Sequence, residues 1–298
     1  MKRRLRVALA GVLALVVVLV AVVGVLAYLV FARVEGEYFD SDGARIHYTV
    51  EGSGEPVILV HGLAANADIN WRRSGMTRKL KGDFRVIAFD CRGHGLSEKL
   101  YEPERYGIEM VNDIVRLMDH LGIDKAHVAG YSLGGFIVLK AMTTHPERIR
   151  SAAICAAGWR RPDDTSNFLS PFRPPPEARL ETHHQLASIL PQFAGRDPVN
   201  WVRDWVGQKI TDKDARKACS RSFPTLLVTE EELRACPVPA ICFIGSKDGL
   251  KPYADNLVGV LPDLEFVVLD GATHLTTPIR RDFKNALRAF FLKHRGDQ

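Results

Sequence analysis

The sequence has few cysteines, and none of them lies in a C-x-x-C pair. The five are scattered along the chain as Cys91, Cys155, Cys219, Cys236 and Cys242. An odd, scattered set indicates neither a metal site nor a disulfide framework. Cys155 and Cys242 lie in apolar runs and are expected in the core. Cys219 and Cys236 could pair if the protein is exported, and the sequence leaves that pairing open.

An excess of charge of one sign is also missing beyond the first six residues. The formal net charge is +5, but without Lys2, Arg3, Arg4 and Arg6 the chain has 36 basic against 35 acidic residues. A nearly neutral body has no electrostatic footprint for nucleic acid. The glycines near residue 132 lack the lysine of a phosphate-binding loop and the spacing of a dinucleotide fingerprint. We therefore expect neither nucleic acid nor a nucleotide cofactor as a partner.

The longest uncharged run lies near the N-terminus. Residues 7–32, which are 26 in number, contain no charged side chain. An apolar helix needs roughly 20 residues to cross a bilayer, whereas a signal peptide has a shorter apolar core. We expect a single uncleaved transmembrane anchor, with a signal peptide cleaved after Val30-Phe31-Ala32 as the alternative. Because the basic residues precede the run, the positive-inside rule predicts a cytoplasmic N-terminus and an extracytoplasmic body.

Beyond the anchor, short apolar runs alternate with amphipathic ones. The first two runs flank Ser41-Asp42-Gly43, which is typical of a hairpin turn, and the later runs are apolar throughout, as in strands covered on both faces. This alternation predicts an α/β fold: a mostly parallel sheet with helices on both faces. The predicted strands are 36–40, 45–51, 56–60, 84–89, 126–129, 151–157, 240–244 and 265–269, and the predicted helices are 67–80, 111–121, 134–144 and 281–292.

One stretch, 158–236, interrupts the alternation. It begins with several prolines and continues with helical patterns at 177–190 and 200–210, without a clear strand. A structureless loop of that length is improbable inside a compact domain, so we expect a mostly helical cap, or lid, over one end of the sheet. The predicted organisation is an N-terminal segment with the anchor (1–35), a core in two parts (36–157 and 237–298) and the cap between them (158–236).

A nucleophile turn is predicted where the strand at 126–129 gives way to a helix. There Ser132 lies in Gly130-Tyr131-Ser132-Leu133-Gly134, a G-x-S-x-G pattern in which small residues let a strand bend sharply and expose the serine hydroxyl. Glycine and serine are also common in ordinary loops, so the pattern alone leaves both interpretations open. The rest of the chain has to supply a base and an acid for Ser132.

Two later strand ends supply those groups. A serine hydroxyl needs a histidine base, and the base needs an acid that holds its tautomer. His274 follows the strand at 265–269 on a glycine-containing loop, and Asp248 follows the strand at 240–244. Asp248 could instead be a turn aspartate that bonds its own backbone. Asp163 and Asp164 are the reserve candidates for the acid.

Acyl transfer also needs donors for the oxyanion that forms on the substrate carbonyl. The backbone N–H of Leu133, at the start of the helix after Ser132, is one candidate. The other is the backbone N–H of Leu63, because Gly62 permits a close turn after the strand at 56–60. We expect His61 to support this loop and His94 to organise the loop after residue 90, rather than to transfer protons.

Taken together, these motifs resemble the α/β-hydrolase superfamily, in order and spacing, over nearly the whole body. The resemblance implies Ser132 as nucleophile, His274 as base, Asp248 as orienting acid, the Leu63 and Leu133 N–H groups as oxyanion donors, and a cap that shapes the substrate pocket. The motifs are His61-Gly62, Asp90-Cys91-Arg92-Gly93-His94-Gly95-Leu96-Ser97, Gly130-Tyr131-Ser132-Leu133-Gly134-Gly135, Gly245-Ser246-Lys247-Asp248 and Gly271-Ala272-Thr273-His274.

The expected activity is that of a serine esterase or lipase that needs no metal or organic cofactor. The anchor and the lid favour an apolar acyl or lipidic small-molecule substrate, which makes the chain similar to membrane-anchored monoacylglycerol lipases. One alternative is a carbon–carbon bond hydrolase of the same fold, and another is a non-catalytic ligand-binding module. Dehalogenase and epoxide hydrolase chemistry is disfavoured, because families with those activities use an aspartate where this chain has Ser132.

Overall fold

A computed structural model of the protein describes residues 17–18, 35–63, 65–161 and 212–296. The chain divides between Glu35 and Gly36 into two units, and the fold described below belongs to the second. Within the described ranges, no helix combines the length and the apolar character needed to cross a membrane. The predicted anchor lies almost entirely outside these ranges, and the predicted cap helices at 177–190 and 200–210, with Asp163 and Asp164, lie wholly outside them.

Eight strands in the described ranges form one sheet with the order β1-β2-β4-β3-β5-β6-β7-β8. β1 and β2 are an antiparallel hairpin, whose turn places Asp42 and Gly43 at φ of 54° and 69°, and the strands from β3 onward run parallel. The predicted α/β fold with a mostly parallel sheet is therefore confirmed. The strands are β1 Glu37–Asp40, β2 Arg45–Glu51, β3 Glu55–Val60, β4 Phe84–Phe89, β5 Ala126–Tyr131, β6 Ile149–Cys155, β7 Ala240–Gly245 and β8 Leu264–Leu269.

Helices cover both faces of the sheet. The helices Ile108–His120 and Leu133–Thr144 pack on one face, and Met76–Leu80 and Arg281–Lys293 pack on the other. Ile58 of β3 therefore belongs to one apolar cluster and its neighbour Val57 to the other. Burial on both faces explains why the central strands are continuous apolar runs. The helices are α1 Met76–Leu80, α2 Ile108–His120, α3 Leu133–Thr144, α4 Lys213–Arg221, α5 Glu230–Arg234, α6 Lys251–Asp255 and α7 Arg281–Lys293.

The prediction of one continuous helix over 67–80 is wrong. The chain instead forms a single π-helical turn, Asp68–Arg72, which is separated from α1 by a break at residues 73–75. Gly75 has φ of 84°, a left-handed conformation that a right-handed helix cannot contain. The Ser74 hydroxyl also donates to the Trp71 carbonyl at 3.1 Å, so a side chain competes locally with the helical bonding pattern.

The described end of the predicted cap packs against the main domain. In α4, the Cys219 sulfur lies 3.9 Å from the sulfur of Met110 in α2, and after α5 the Cys236 sulfur lies 3.2 Å from the carbonyl oxygen of Met142 in α3. All five cysteines are buried free thiols, so the possible Cys219–Cys236 disulfide is not present. Burial in apolar surroundings raises the pKa of the Cys219 thiol well above its usual value. The cap boundary at residue 236 remains a prediction.

Candidate active site

Ser132 lies in the sharp turn between β5 and α3. Its backbone has φ of 55° and ψ of −117°, which is unusual for a residue with a side chain. Close packing forces the bend: a Cβ atom on Gly130 would lie 2.0 Å from the Gly134 carbonyl oxygen, and one on Gly134 would lie 2.3 Å from the Val60 carbonyl oxygen. Both flanking glycines are therefore required by contact. Strain of this kind is typical of functional sites.

A chain of hydrogen bonds joins the three predicted residues. The Ser132 hydroxyl oxygen lies 3.0 Å from Nε2 of His274, and Nδ1 of His274 lies 3.0 and 3.1 Å from the two carboxylate oxygens of Asp248. The carboxylate is an acceptor, so Nδ1 carries the proton and Nε2 is free to accept the serine proton. The Asp248 side chain is only 1% exposed and also accepts the Leu250 N–H at 3.0 Å. These contacts supply the geometry of a nucleophile, a base and an orienting acid.

The sheet explains why residues so far apart in sequence meet. Ser132 follows β5, Asp248 follows β7 and His274 follows β8, and these strands run parallel in the order β5-β6-β7-β8. Their carboxyl ends therefore lie at the same edge of the sheet. The acid loop and the base loop are also joined directly, because the Lys247 N–H donates to the Ala272 carbonyl at 2.9 Å.

Tyr131 is a site residue that the sequence analysis missed. Its hydroxyl donates to the backbone carbonyl oxygen of His274 at 2.6 Å, and its ring centroid lies 5.6 Å from that of the imidazole. Burial raises the pKa of the Tyr131 phenol far above its usual value, so the hydroxyl stays a donor. The residue before the nucleophile thus holds the loop that carries the base. An aromatic residue at the end of a buried strand was the only signal in the sequence.

The two predicted oxyanion donors lie in backbone segments next to Ser132. Leu133 is the first residue of α3, where the N–H groups have no acceptor within the helix. In the loop after β3, Gly62 packs on the nucleophile: a Cβ atom there would lie 3.1 Å from the Cβ atom of Ser132. Leu63 is the next residue and is partly buried against the core. The structure thus brings both backbone segments to the serine, and their role as donors remains a prediction.

His61 and His94 are buried next to the site but outside the Ser132–His274–Asp248 chain. Nδ1 of His61 bonds the Gly62 carbonyl at 2.8 Å, and its Nε2 accepts the Cys91 N–H at 2.9 Å. His94 bonds the Arg92 carbonyl at 3.0 Å through Nδ1. Burial lowers the pKa of His61, and it lowers the pKa of His94 to about 3, so both rings are neutral at pH 7. These contacts agree with the loop-organising role expected for both residues.

Asp90 ties together the loops that follow β3 and β4. Its carboxylate accepts the Ala67 N–H at 2.9 Å and the Leu96 N–H at 2.8 Å, and it lies 3.2 Å from Nδ1 of His47. Although burial favours the neutral acid, these hydrogen bonds hold the pKa of Asp90 below its usual value. The ionised carboxylate thus fastens the loop that approaches Ser132. Within the described ranges, no cluster of three His, Cys, Asp or Glu side chains could hold a metal ion.

Known proteins resemble this chain over most of its length. Residues 55–276 match the family model described as alpha/beta hydrolase fold. The chain is 26% identical over 261 residues, 84% of this chain and 96% of the relative, to a protein of Azorhizobium caulinodans named "Putative carbamate hydrolase RutD". It is 33% identical over 282 residues to haloalkane dehalogenase 2 of Mycobacterium tuberculosis, covering 88% of this chain and 95% of that protein.

The solved structures that resemble the chain have the same architecture. The 2-hydroxy-6-oxo-6-phenylhexa-2,4-dienoate hydrolase from Rhodococcus sp. strain RHA1 superposes with a TM-score of 0.64 at 25% identity, covering 88% of this chain and 98% of that one. A meta-cleavage product hydrolase from Pseudomonas fluorescens IP01 gives a TM-score of 0.67 at 22% identity, covering 87% and 98%. The second similarity concerns the fold alone.

Proposed function

The chain belongs to the α/β-hydrolase fold family, and we propose that it is a serine hydrolase that cleaves carboxylic esters through an acyl-enzyme. One observation carries the proposal: the Ser132 hydroxyl lies 3.0 Å from Nε2 of His274, whose Nδ1 faces the buried Asp248 carboxylate at 3.0 Å. A serine so placed has a base to take its proton and a buried charge to stabilise the imidazolium that results. The strained turn at Ser132 presents the hydroxyl to a substrate.

The proposed reaction has two halves. As Ser132 attacks the ester carbonyl, His274 takes the hydroxyl proton, and the negative charge on the carbonyl oxygen is held by the N–H groups of Leu63 and Leu133. The intermediate collapses to the acyl-serine, and the alcohol leaves with the proton from His274. A water molecule then attacks the acyl group with His274 as base, which releases the carboxylic acid and restores Ser132. These steps need no metal or organic cofactor.

Dehalogenation is not proposed, although one relative is named a haloalkane dehalogenase. A carboxylate that displaces a halide forms an alkyl ester, which water can cleave at its carbonyl carbon. A serine that displaces a halide forms an ether, which offers no carbonyl to attack. The nucleophile turn of this chain carries Ser132, so its chemistry suits a substrate that already contains a carbonyl group. The carbamate hydrolase named among the relatives acts on such a group.

Carbon–carbon bond hydrolysis is the second candidate. It is favoured by the similarity to the Rhodococcus hydrolase, at 25% identity over most of both chains. Such an enzyme keeps the same three residues and has a different pocket. The two activities are therefore distinguished by assays with different substrates. Rapid cleavage of a vinylogous diketone with slow turnover of every ester would favour this candidate. A ligand-binding module without catalysis would cleave neither.

An apolar acyl substrate is proposed for this site, and the membrane is proposed as its location. The support is the uncharged run at residues 7–32, together with two exposed aliphatic side chains near the base: Leu275 is 85% exposed and Ile279 is 64% exposed. A single-pass anchor with an extracytoplasmic catalytic domain follows from the positive-inside rule, and secretion after cleavage is the alternative. The test is a reporter that works only in the cytoplasm, fused after Gln298. Activity of this reporter would contradict the topology.

The proposal is tested by labelling and turnover. We expect a fluorophosphonate probe to label Ser132, and p-nitrophenyl esters to be cleaved with a preference for longer acyl chains. Ser132→Ala should lose labelling and turnover without a change in thermal unfolding. Ser220→Ala is the matched control, because Ser220 lies in α4 and its hydroxyl donates to the local Arg216 carbonyl at 2.9 Å. A wild-type protein that is neither labelled nor active on any ester would overturn the esterase proposal.

A further inference from the structure

Asn70 connects the π-helical turn to the loop that approaches Ser132. Its side-chain oxygen accepts the backbone N–H of Gly62 at 2.8 Å. The next residue of the turn, Trp71, is fully buried and packs edge-to-face on Tyr131, with ring centroids 6.3 Å apart. The turn is therefore fastened at two points, to the β5 strand end through Trp71 and to the loop after β3 through Asn70. π-helical turns of this kind are frequent at functional sites.

The Gly62 backbone needs such support because close packing leaves little room for a side chain there. A Cβ atom at this position would lie 3.1 Å from both the Ser132 Cβ atom and the Tyr131 carbonyl oxygen. Glycine satisfies that contact, but it also has more freedom in φ and ψ than any other residue. The direction of the following Leu63 N–H depends on those two angles. Hydrogen bonds must therefore supply the rigidity that a side chain would otherwise provide.

The hydrogen bonds hold both peptide planes that meet at Gly62. In the following plane, the Gly62 carbonyl accepts from Nδ1 of His61 at 2.8 Å and from the Ala65 N–H at 3.2 Å. A trans peptide is planar, so the Leu63 N–H points away from that carbonyl. In the preceding plane, the Gly62 N–H donates to Asn70 and is thereby taken out of the set of oxyanion donors. Asn70 thus completes the pair of constraints that aim the Leu63 N–H.

We infer that Asn70 is a positioning residue for the oxyanion loop, which holds the Gly62 peptide so that the Leu63 N–H is aimed at the developing oxyanion. The inference rests on the proposed acyl transfer at Ser132. It assigns the specific task of orienting a donor to a side chain that touches no reacting atom. The loss of the Asn70 acceptor should weaken stabilisation of the tetrahedral intermediate more than it weakens substrate binding.

The direct test is Asn70→Ala, with Asn66→Ala as the matched control. The side-chain oxygen of Asn66 also accepts a backbone N–H at 2.8 Å, but that N–H belongs to Ile69 within the turn. On a p-nitrophenyl ester we expect kcat of Asn70→Ala to fall about 10- to 100-fold, less than the complete removal of an oxyanion donor, with KM nearly unchanged. The control should stay within about threefold of wild type.

A spectroscopic readout separates donor positioning from general loosening. A trifluoromethyl ketone forms a hemiketal with Ser132, and fluorine NMR follows the ionisation of its hydroxyl. We expect the hemiketal pKa to rise in Asn70→Ala and to match wild type in Asn66→Ala, because only the first variant loses an oriented donor. If Asn70→Ala does not fold, Asn70→Leu keeps the branched shape without the acceptor and should give the same shift.

The outcomes distinguish this inference from the proposed function. If the wild-type protein forms the hemiketal and cleaves esters, but the Asn70 variants match it in kcat and in hemiketal pKa, the positioning role is overturned and the esterase proposal stands. If the wild-type protein forms no hemiketal, is not labelled by a fluorophosphonate and cleaves no ester, both are overturned. A fall in kcat together with a raised hemiketal pKa supports both.

Discussion

The hydroxyl of Tyr131 offers the sharpest test of how the base is held. Tyr131→Phe removes one oxygen atom and with it the 2.6 Å bond to the His274 carbonyl, and it leaves the ring in place. Loss of a buried hydrogen bond of this kind should lower the free energy of unfolding by about 1–2 kcal/mol. The His274 loop also loses a constraint. We expect the less well held His274 to raise the activation free energy by up to about 1.4 kcal/mol, which corresponds to a fall in kcat of about threefold to tenfold.

Tyr106→Phe is the matched control for this prediction. The Tyr106 hydroxyl donates to the Leu100 carbonyl at the same 2.6 Å, and the residue is buried to a similar extent, 1% exposed against 3% for Tyr131. Thermal unfolding should report a comparable loss of stability for the two variants, whereas steady-state kinetics on a p-nitrophenyl ester should report a loss of kcat for Tyr131→Phe alone. Equal kcat values for Tyr131→Phe and wild type, or an equal loss of kcat in both variants, would refute the reasoning.

Three further predictions concern the acid, a buried histidine and the thiols. Asp248→Asn should lower kcat by about 10⁴-fold with little change in KM, because an amide no longer selects the Nδ1–H tautomer of His274; steady-state kinetics and thermal unfolding check this. His94 has a folded-state pKa of about 3, below the usual 6.5, so the unfolded chain takes up its proton first and stability should fall as the pH drops from about 6.5 towards 3. Urea unfolding should therefore show that the free energy of unfolding falls less between pH 7 and pH 5 in His94→Asn than in wild type. An equal fall in both proteins would contradict the lowered pKa of His94. All five thiols should resist dithionitrobenzoate in the folded protein and all five should react in denaturant, whereas three reactive thiols would reveal a disulfide.

The spacing of apolar residues predicted most of the strands and helices that form the core. The mainly apolar runs became β3 to β7, because strands covered on both faces bury most of their side chains. The helix predicted over 67–80 failed for a local reason. Apolar spacing cannot reveal that Gly75 adopts a left-handed conformation, or that the extra residue of a π-helical turn shifts the side chains that follow.

The candidate site was likewise predictable only in part. Ser132, Asp248 and His274 could be named as candidates from the sequence, because each follows a strand and parallel strands end at one edge of a sheet. The side chains that hold the base loop and the oxyanion loop are visible only in the folded chain: the Tyr131 hydroxyl donates to the His274 carbonyl, and Asn70 accepts the Gly62 N–H. Such contacts depend on strand register and on the path of turns, which vary without changing the hydrophobic pattern. The catalytic residues can therefore be predicted from motifs, whereas their orientation depends on how the surrounding side chains pack.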